Sequence, residues 1–183
     1  MARVPYTDPA DLPEEYRDLV VSSLQPGKTV NVYRAIGNNP EVLDGFRTFL
    51  GSLWSESGLS DRHRELVILA TARRADSSYE WHQHVGIAQN AGVTDDEIRA
   101  ISAGDYSGFD APETALLDYT NAVVDGAVTD GLSEALAEHF DHDAVSGATS
   151  TAAGYLALAS VIDALGVEIE TGDEFIGWDL EHA

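Results

Sequence analysis

The segment 77–84 places ionisable side chains on what should be the apolar side of a helix. At about 100° per residue, Trp81 and Val85 mark a buried stripe, and Glu80 and His84 fall within it or at its edge. A histidine at such a place can act as a general acid or base, because its pKa lies near neutrality. A glutamate one helical turn away can hydrogen-bond to it. We therefore predict proton-transfer chemistry at this helix.

Two other interpretations of Glu80 and His84 stay open. The pair can be a core histidine held by a glutamate, with no chemical role. It can also chelate a metal, since the two side chains share a helix face, but no zincin-type HExxH pattern is present and His82 faces the other way. We expect no metal and no other cofactor. Ser77 lies outside any Gly-x-Ser-x-Gly pattern, which argues against serine hydrolysis.

The composition limits the possible partners. Of the 183 residues, 32 are acidic and ten are basic, which gives a formal net charge of −22. Such a surface repels nucleic acids and anionic lipid headgroups, so we expect neither a nucleic-acid nor a membrane partner. The run 144–162 is uncharged and long enough to span a bilayer, but its many small polar residues favour close helix packing instead. The N-terminus shows no signal peptide, so we expect a cytoplasmic protein.

The excess of carboxylates with a single lysine, Lys28, suggests adaptation to molar salt. In dilute buffer the carboxylates repel one another over a long Debye length, which destabilises the folded state. We expect the melting temperature, followed by circular dichroism, to rise between low salt and molar KCl. A melting temperature that stayed the same or fell would contradict this interpretation.

Helical periodicity and capping signals continue through the chain, and no segment shows the strict alternation of a strand. The predicted fold class is all-α, in one domain that spans residues 1–183. The predicted helices cover 13–24, 29–36, a segment starting at 40 after the cap Asn39, a segment after the cap Ser60, a segment from about 77 to 91, 94–101, 110–124, 132–140 and 143–165.

Two segments carry further expectations. Residues 66–72 are apolar on every side and should form the central buried helix, with Glu65 at its edge. The tail 171–183 is acidic, yet it contains Phe175, Ile176 and Trp178. A free tail would not need these side chains, so we expect the tail to dock on the body or on another subunit.

Three motifs together carry a family resemblance. They are Arg64-Glu65 followed by Leu-Val-Ile-Leu, then Tyr79-Glu80-Trp81-x-x-His84, and then Ala-Gly-Val-Thr-Asp-Asp-Glu-Ile at 91–98. This combination resembles the carboxymuconolactone decarboxylase family, which includes the alkylhydroperoxidase D-like proteins. The resemblance covers about 29–170 and implies a compact multi-helix domain that forms a homo-oligomer, a trimer or a hexamer. The small side chains of Ala148, Ala152 and Ala153 could form that interface or pack within the chain.

Thiol chemistry is the point at which this sequence departs from the peroxidase branch of that family. The similar helix there carries Cys-x-x-Cys, a histidine four residues later and a glutamate twelve residues earlier. Ser77 and Glu80 occupy the two cysteine positions here, while His84 and Glu65 keep the other two. The chain contains no cysteine, so thiol-based peroxide reduction is unavailable unless a partner supplies the thiol.

The resemblance implies a cofactor-free lyase or related proton-transfer enzyme that acts on a small carboxylated or lactone substrate from aromatic catabolism. In this interpretation His84 is the acid/base, glutamates form a relay and Ser77 supplies a hydrogen bond. The alternative is a non-catalytic ligand-binding or assembly protein of the same fold. The candidate catalytic residues are His84, Glu80, Glu65 and Ser77, and the candidate substrate-binding residues are Arg34, Arg64, Trp81 and Tyr79.

Overall fold

The structure, a computed structural model, describes residues 2–21 and 28–182. Within these ranges the chain is all-helical, as the sequence predicts, and its only β-type pairing is an isolated bridge between Val21 and Thr29. Two short 3-10 helices come first, at Pro9–Asp11 and Glu14–Val20. The α-helices are α1 Asn31–Ile36, α2 Pro40–Ser55, α3 Asp61–Arg74, α4 Ser78–Asn90, α5 Asp95–Ala103, α6 Ala111–Asp125, α7 Asp130–Ala137 and α8 His142–Leu165.

Polar caps fix the beginnings of most of these helices. Ser60 accepts a backbone hydrogen bond at the start of α3, and Thr94 and Glu97 form a complete capping box at the start of α5. The last helix begins slightly earlier than expected, because Asp141 caps it by accepting from the backbone of Ala144. The cap positions therefore carry reliable information about where the helices begin.

The predicted helix at 13–24 is the main departure from these expectations. Residues Glu14–Val20 form a 3-10 helix, and residues 22–24 lie outside the described ranges. Val20 is the only residue of this helix that is fully buried. With so little packing there is not much tertiary stabilisation for a longer α-helix, because short helices depend on an apolar face buried against a neighbour.

The sequence places Val42, Phe46, Leu50 and Trp54 at four-residue steps on α2, which predicts one buried stripe, but the observed stripe differs from it. Leu43, Leu50 and Leu53 are buried, whereas Val42 is 49% exposed. Both stripes fit a helical period. Packing of α2 against α8 and against the 3-10 helix Glu14–Val20 selects between the two stripes.

Helix α3 is the central helix, as predicted. Nine consecutive residues from Arg64 to Ala72 are buried, and the helix packs against α4, α5, α6 and α8. This burial takes two charged side chains, Arg64 and Glu65, into the interior. A buried charge is costly unless it is paired, so these two residues need partners nearby.

Helix α8 has the length and hydropathy of a membrane span, but half of its most apolar window is buried inside the protein. It packs against α2, α3 and α6, which is the position of a core helix. Ala148 and Ala152 are buried within the chain, while Ala153 is exposed. Two of the three small residues considered for an oligomer interface thus serve intramolecular packing.

Gly147 lies at a close approach between α8 and the residues after α2. A Cβ at this position would lie 1.8 Å from the carbonyl oxygen of Ser57. Since both segments are backbone, Gly147→Ala is expected to reduce the free energy of unfolding by about 2 kcal/mol, measured by denaturant titration. Gly86→Ala is the matched control, because nothing lies within 4 Å of its added Cβ. Equal losses in both variants would contradict the close approach.

The segment after α8 packs along the body of its own chain. Phe175, Ile176 and Trp178 lie against the core cluster that contains Trp81. The indole Nε1 of Trp81 donates to the carbonyl oxygen of Gly177 over 3.0 Å. These contacts partly bury the apolar side chains that the acidic tail carries.

Candidate active site

His84 lies where two cavities meet. The side chain is 8% exposed, and its ring lines both cavities. We call the cavity beside Glu80 and Gln83 the narrow lobe, with a volume of about 80 Å³. The cavity beside Arg47 and Trp54 is the wide lobe, with a volume of about 280 Å³. The residues that line both lobes, besides His84, are Tyr33, Leu50 and Tyr155.

The partner of His84 is Glu65. The imidazole Nδ1 lies 2.9 Å from Oε2 of Glu65, which is fully buried on α3. The other carboxylate oxygen of Glu65 accepts from Nε of Arg64 over 3.3 Å. An ionised carboxylate can only accept, so this pattern assigns the hydrogen to Nδ1 and makes Nε2 the nitrogen available to a ligand.

This arrangement corrects the predicted pairing of His84 with Glu80. The two residues lie one turn apart on α4, but the hydrogen bond goes to the neighbouring helix α3 instead. Glu80 still lines the narrow lobe beside His84. The helix therefore presents two separate ionisable groups to one cavity rather than a bonded pair.

Glu80 is a buried acid without a hydrogen-bond partner. It is 2% exposed, and both of its carboxyl oxygens lack a hydrogen bond within the described part of the chain. Burial raises the pKa of Glu80 to about 8, and the nearby Ser77 hydroxyl partly opposes this shift. At neutral pH the side chain is thus mostly a neutral carboxylic acid, which can donate a hydrogen bond.

Ser77 lies apart from the two lobes. It precedes the first residue of α4, and its Oγ is buried without a hydrogen-bond partner in the described residues. It lines a different cavity, next to the C-terminal end of α8. Ser77 affects the site through Glu80, whose pKa its hydroxyl lowers.

Arg64 lies behind Glu65 and lines neither lobe. Besides Glu65, its guanidinium binds Asp61 Oδ1 at 2.9 Å and the carbonyl oxygen of Trp54 at 3.2 Å. It also lies 4.0 Å from the centroid of the Trp54 ring. These contacts make Arg64 a residue that holds Glu65 in place.

The other predicted binding residues are distributed over the molecule. Tyr79 lines the narrow lobe, but its hydroxyl donates to Glu170 Oε1 over 2.6 Å and accepts from the backbone of Val32. Trp81 is fully buried against the C-terminal segment, and Arg34 pairs with Asp8 at 2.6 Å. Neither Trp81 nor Arg34 lines either lobe.

Tyr155 lines both lobes but was not among the candidate residues predicted from the sequence. Its ring meets the His84 ring edge-on, with the centroids 5.2 Å apart. Its hydroxyl accepts from Nε1 of Trp54 over 2.9 Å. Burial raises the pKa of Tyr155 well above its usual value, so the hydroxyl stays neutral. The feature of the sequence that could have indicated Tyr155 is its large side chain within the run of small residues of α8.

Arg47 is the second residue that sequence reasoning missed. It lines the wide lobe from α2, and its guanidinium lies 4.4 Å from the centroid of the Tyr33 ring. Its Nη1 donates to the carbonyl oxygens of Leu19 and Val21. An arginine in a chain with so few basic residues was a reason to consider it as a binding residue, but the direction of its side chain depends on the packing of α2.

Across the described residues there is no cluster of three potential metal ligands.

Comparison with known proteins agrees with this geometry. Residues 40–122 match the model of the carboxymuconolactone decarboxylase family. These residues belong to that family. The predicted family is thereby confirmed, and this family segment contains Arg47, Arg64, Glu65, Glu80 and His84 but not Tyr155. No curated protein matches the sequence significantly.

Solved structures show the fold beyond the family segment. A peroxidase-related protein from Ralstonia eutropha JMP134, described as an alkylhydroperoxidase AhpD core, superposes with a TM-score of 0.82 at 20% identity, covering 97% of this chain and 96% of that one. The debrominase Bmp8 in complex with 2,3,4-tribromopyrrole gives a TM-score of 0.74 at 15% identity, covering 93% and 91%. A protein of unknown function from Agrobacterium tumefaciens gives 0.68 at 19% identity, covering 73% and 94%. These likenesses establish an alkylhydroperoxidase D-like fold.

Proposed function

We propose that this member of the carboxymuconolactone decarboxylase family is a cofactor-free proton-transfer enzyme, a lyase that acts on a small carboxylated substrate. One observation carries the proposal: His84 binds buried Glu65 through Nδ1 while its ring lines two cavities. A histidine with no chemical role would not need an open space on the other side of the ring.

His84 is the proton carrier in this proposal. The Glu65 carboxylate fixes the orientation of the ring and stabilises the imidazolium form when Nε2 takes a proton. Arg64 holds the Glu65 side chain in place from behind. General acid–base catalysis by such a group contributes about 10²- to 10⁴-fold to a rate.

Glu80 supplies a different function in the same cavity. As a neutral acid it can donate a hydrogen bond to an oxygen that gains negative charge during the reaction. Environments that separate the protonation states of neighbouring groups are a common way to assign acid and base roles. Here His84 carries the moving proton and Glu80 stabilises charge.

The reaction balances with these two residues. The bond between a carbon atom and the substrate carboxylate breaks, and CO₂ leaves. The electron pair passes into the adjacent conjugated carbonyl system, whose oxygen accepts the hydrogen bond from Glu80. The carbon then takes a proton from Nε2 of His84, which is protonated again from water. No electron acceptor and no thiol take part.

The experiment is an assay of folded protein in KCl with a panel of carboxylated lactones, including carboxymuconolactone and smaller monocarboxylates. Release of CO₂ is measured together with deuterium incorporation from D₂O at the product carbon. We expect both in equal amounts. If no compound in the panel releases CO₂ or exchanges a carbon-bound hydrogen, the lyase proposal fails and the ligand-binding alternative remains.

A further inference from the structure

The guanidinium of Arg47 is anchored at one end and free of carboxylates at the other. Nη1 donates to the carbonyl oxygens of Leu19 and Val21, at 3.2 and 3.0 Å. Nε and Nη2 bind no carboxylate and no carbonyl group of the described residues. The remaining polar neighbour is the Tyr33 hydroxyl, which is neutral, because burial raises its pKa while Arg47 only partly opposes the shift.

A cation without a carboxylate is unexpected in this chain, which has 32 acidic side chains and ten basic ones. Arg3 and Arg17 also bind only carbonyl groups, but they line neither lobe. Most other arginines of the described residues pair with acidic side chains. These pairs are Arg34 with Asp8, Arg62 with Glu97 and Glu113, Arg64 with Glu65, Arg74 with Asp125, and Arg99 with Asp96. Arg47 instead points its charge at the wide lobe.

The geometry of Arg47 suits one carboxylate. Nε and Nη2 form the side of a guanidinium that binds both oxygens of a carboxylate at once. The anchored Nη1 reduces the side-chain entropy that binding would otherwise cost. The walls formed by Leu50, Trp54 and Tyr155 can hold an apolar body next to that carboxylate.

The narrow lobe, by contrast, offers no second free cation among the described residues. Lys28 lines it but pairs with Asp173 at 3.2 Å. Gln83 donates to Glu170 over 2.6 Å, so a carboxylate already lies beside this lobe. A second ligand carboxylate placed there would lie near the Glu170 carboxylate without a free cation, which is unfavourable.

We propose that Arg47 makes the wide lobe a carboxylate receptor, and that the substrates are monocarboxylates whose uncharged part reaches past His84 towards Glu80. That these ligands are substrates rests on the proposed function. Their binding to Arg47 does not depend on turnover. It selects, from the wider class of carboxylated compounds, those with one acid group.

The test is isothermal titration calorimetry with benzoate, its neutral analogue benzamide and the dianion terephthalate, at one KCl concentration where all variants are folded. We expect wild type to bind benzoate at least about tenfold more tightly than either of the other two compounds, since losing a charge-assisted pair costs more than 1.4 kcal/mol. Arg47→Met is expected to lose the same factor for benzoate. Arg47→Lys should bind benzoate with an intermediate affinity, because lysine keeps the positive charge but cannot bind both carboxylate oxygens at once as arginine does.

Arg17→Met is the matched control, since Arg17 also binds a carbonyl group, that of Leu12, but lines neither lobe. Its benzoate affinity should equal that of wild type. Benzoate that does not bind wild type, equal affinity in folded Arg47→Met, or terephthalate binding as tightly as benzoate would each overturn the inference. If His84→Gln keeps Arg47-dependent benzoate binding while wild type turns over no compound, the proposed function fails and the receptor stands.

Discussion

Replacing His84 by glutamine is expected to lower the turnover number of the carboxylated substrate by at least about a hundredfold. Glutamine can fill a similar space and donate an amide hydrogen bond to Glu65, but it cannot carry a proton at neutral pH. Because glutamine occupies a similar volume beside both lobes, the replacement should affect the chemical step more than ligand binding. The measurement is steady-state kinetics, with circular dichroism to show that the variant remains folded.

The matched control is His82→Gln on the same helix. His82 lines neither lobe, and its Nδ1 accepts from the backbone of Ile176 in the C-terminal segment over 3.3 Å. Its replacement should leave turnover within about a factor of three, since no catalytic contact changes. Equal losses in the two variants would mean that His84 acts through the fold, and the role of proton carrier would have to be given up.

The stability of wild type is expected to decrease, relative to Glu80→Gln, as the pH rises from about 4.5 to about 8. The Glu80 carboxyl keeps its proton in the folded protein up to about pH 8, whereas the unfolded chain releases it near 4.5. In that window the folded state binds one more proton, so each pH unit favours unfolding by about 1.4 kcal/mol. Above pH 8 the full loss of stability remains, roughly 5 kcal/mol at most. Denaturant titrations of wild type and Glu80→Gln across pH 4–9 measure this difference in the free energy of unfolding.

An exposed glutamate provides the comparison for Glu80. Glu138 lies at the end of α7 in solvent, so Glu138→Gln should give a stability curve nearly parallel to that of wild type. Parallel curves for Glu80→Gln as well would show that the Glu80 carboxyl titrates normally. In that case it would be ionised at neutral pH and could not donate the hydrogen bond that the proposed reaction requires.

The two predictions test separate parts of the same site. His84 concerns the moving proton, and Glu80 concerns a fixed hydrogen bond whose donor disappears when the carboxyl ionises. If both hold, the activity of wild type should also fall above about pH 8, because the Glu80 carboxyl then loses the proton that it donates. Together they would explain how a chain without cysteine uses this fold for chemistry.

Most of the scaffold could be predicted from local patterns. Cap residues such as Ser60 and Thr94 determine helix starts through hydrogen bonds within a few residues, so their effect is visible in the sequence. The unbroken apolar run of α3 can only be satisfied by burial on all sides. The same reasoning placed His84 on a buried helix face, where the structure has it.

Prediction was weaker where one helix has two possible buried faces. The spacing on α2 indicated a stripe through Val42, whereas contact with α8 and with the 3-10 helix Glu14–Val20 buries one through Leu43. This choice also turns Arg47 towards the wide lobe. A small rotation of one helix thus decided whether a cation belonged to the surface or to the site.

The sequence by itself determined most of the helices, the buried positions of Glu80 and His84, and the absence of cysteine side chains, because these depend on residue type and local spacing. The tertiary structure decided which groups meet. Glu65, 19 positions from His84, takes the hydrogen bond, and Tyr155 and Arg47 complete the cavities from α8 and α2. Periodicity describes one helix at a time, whereas these contacts arise from the packing angles between helices, which no single helix specifies.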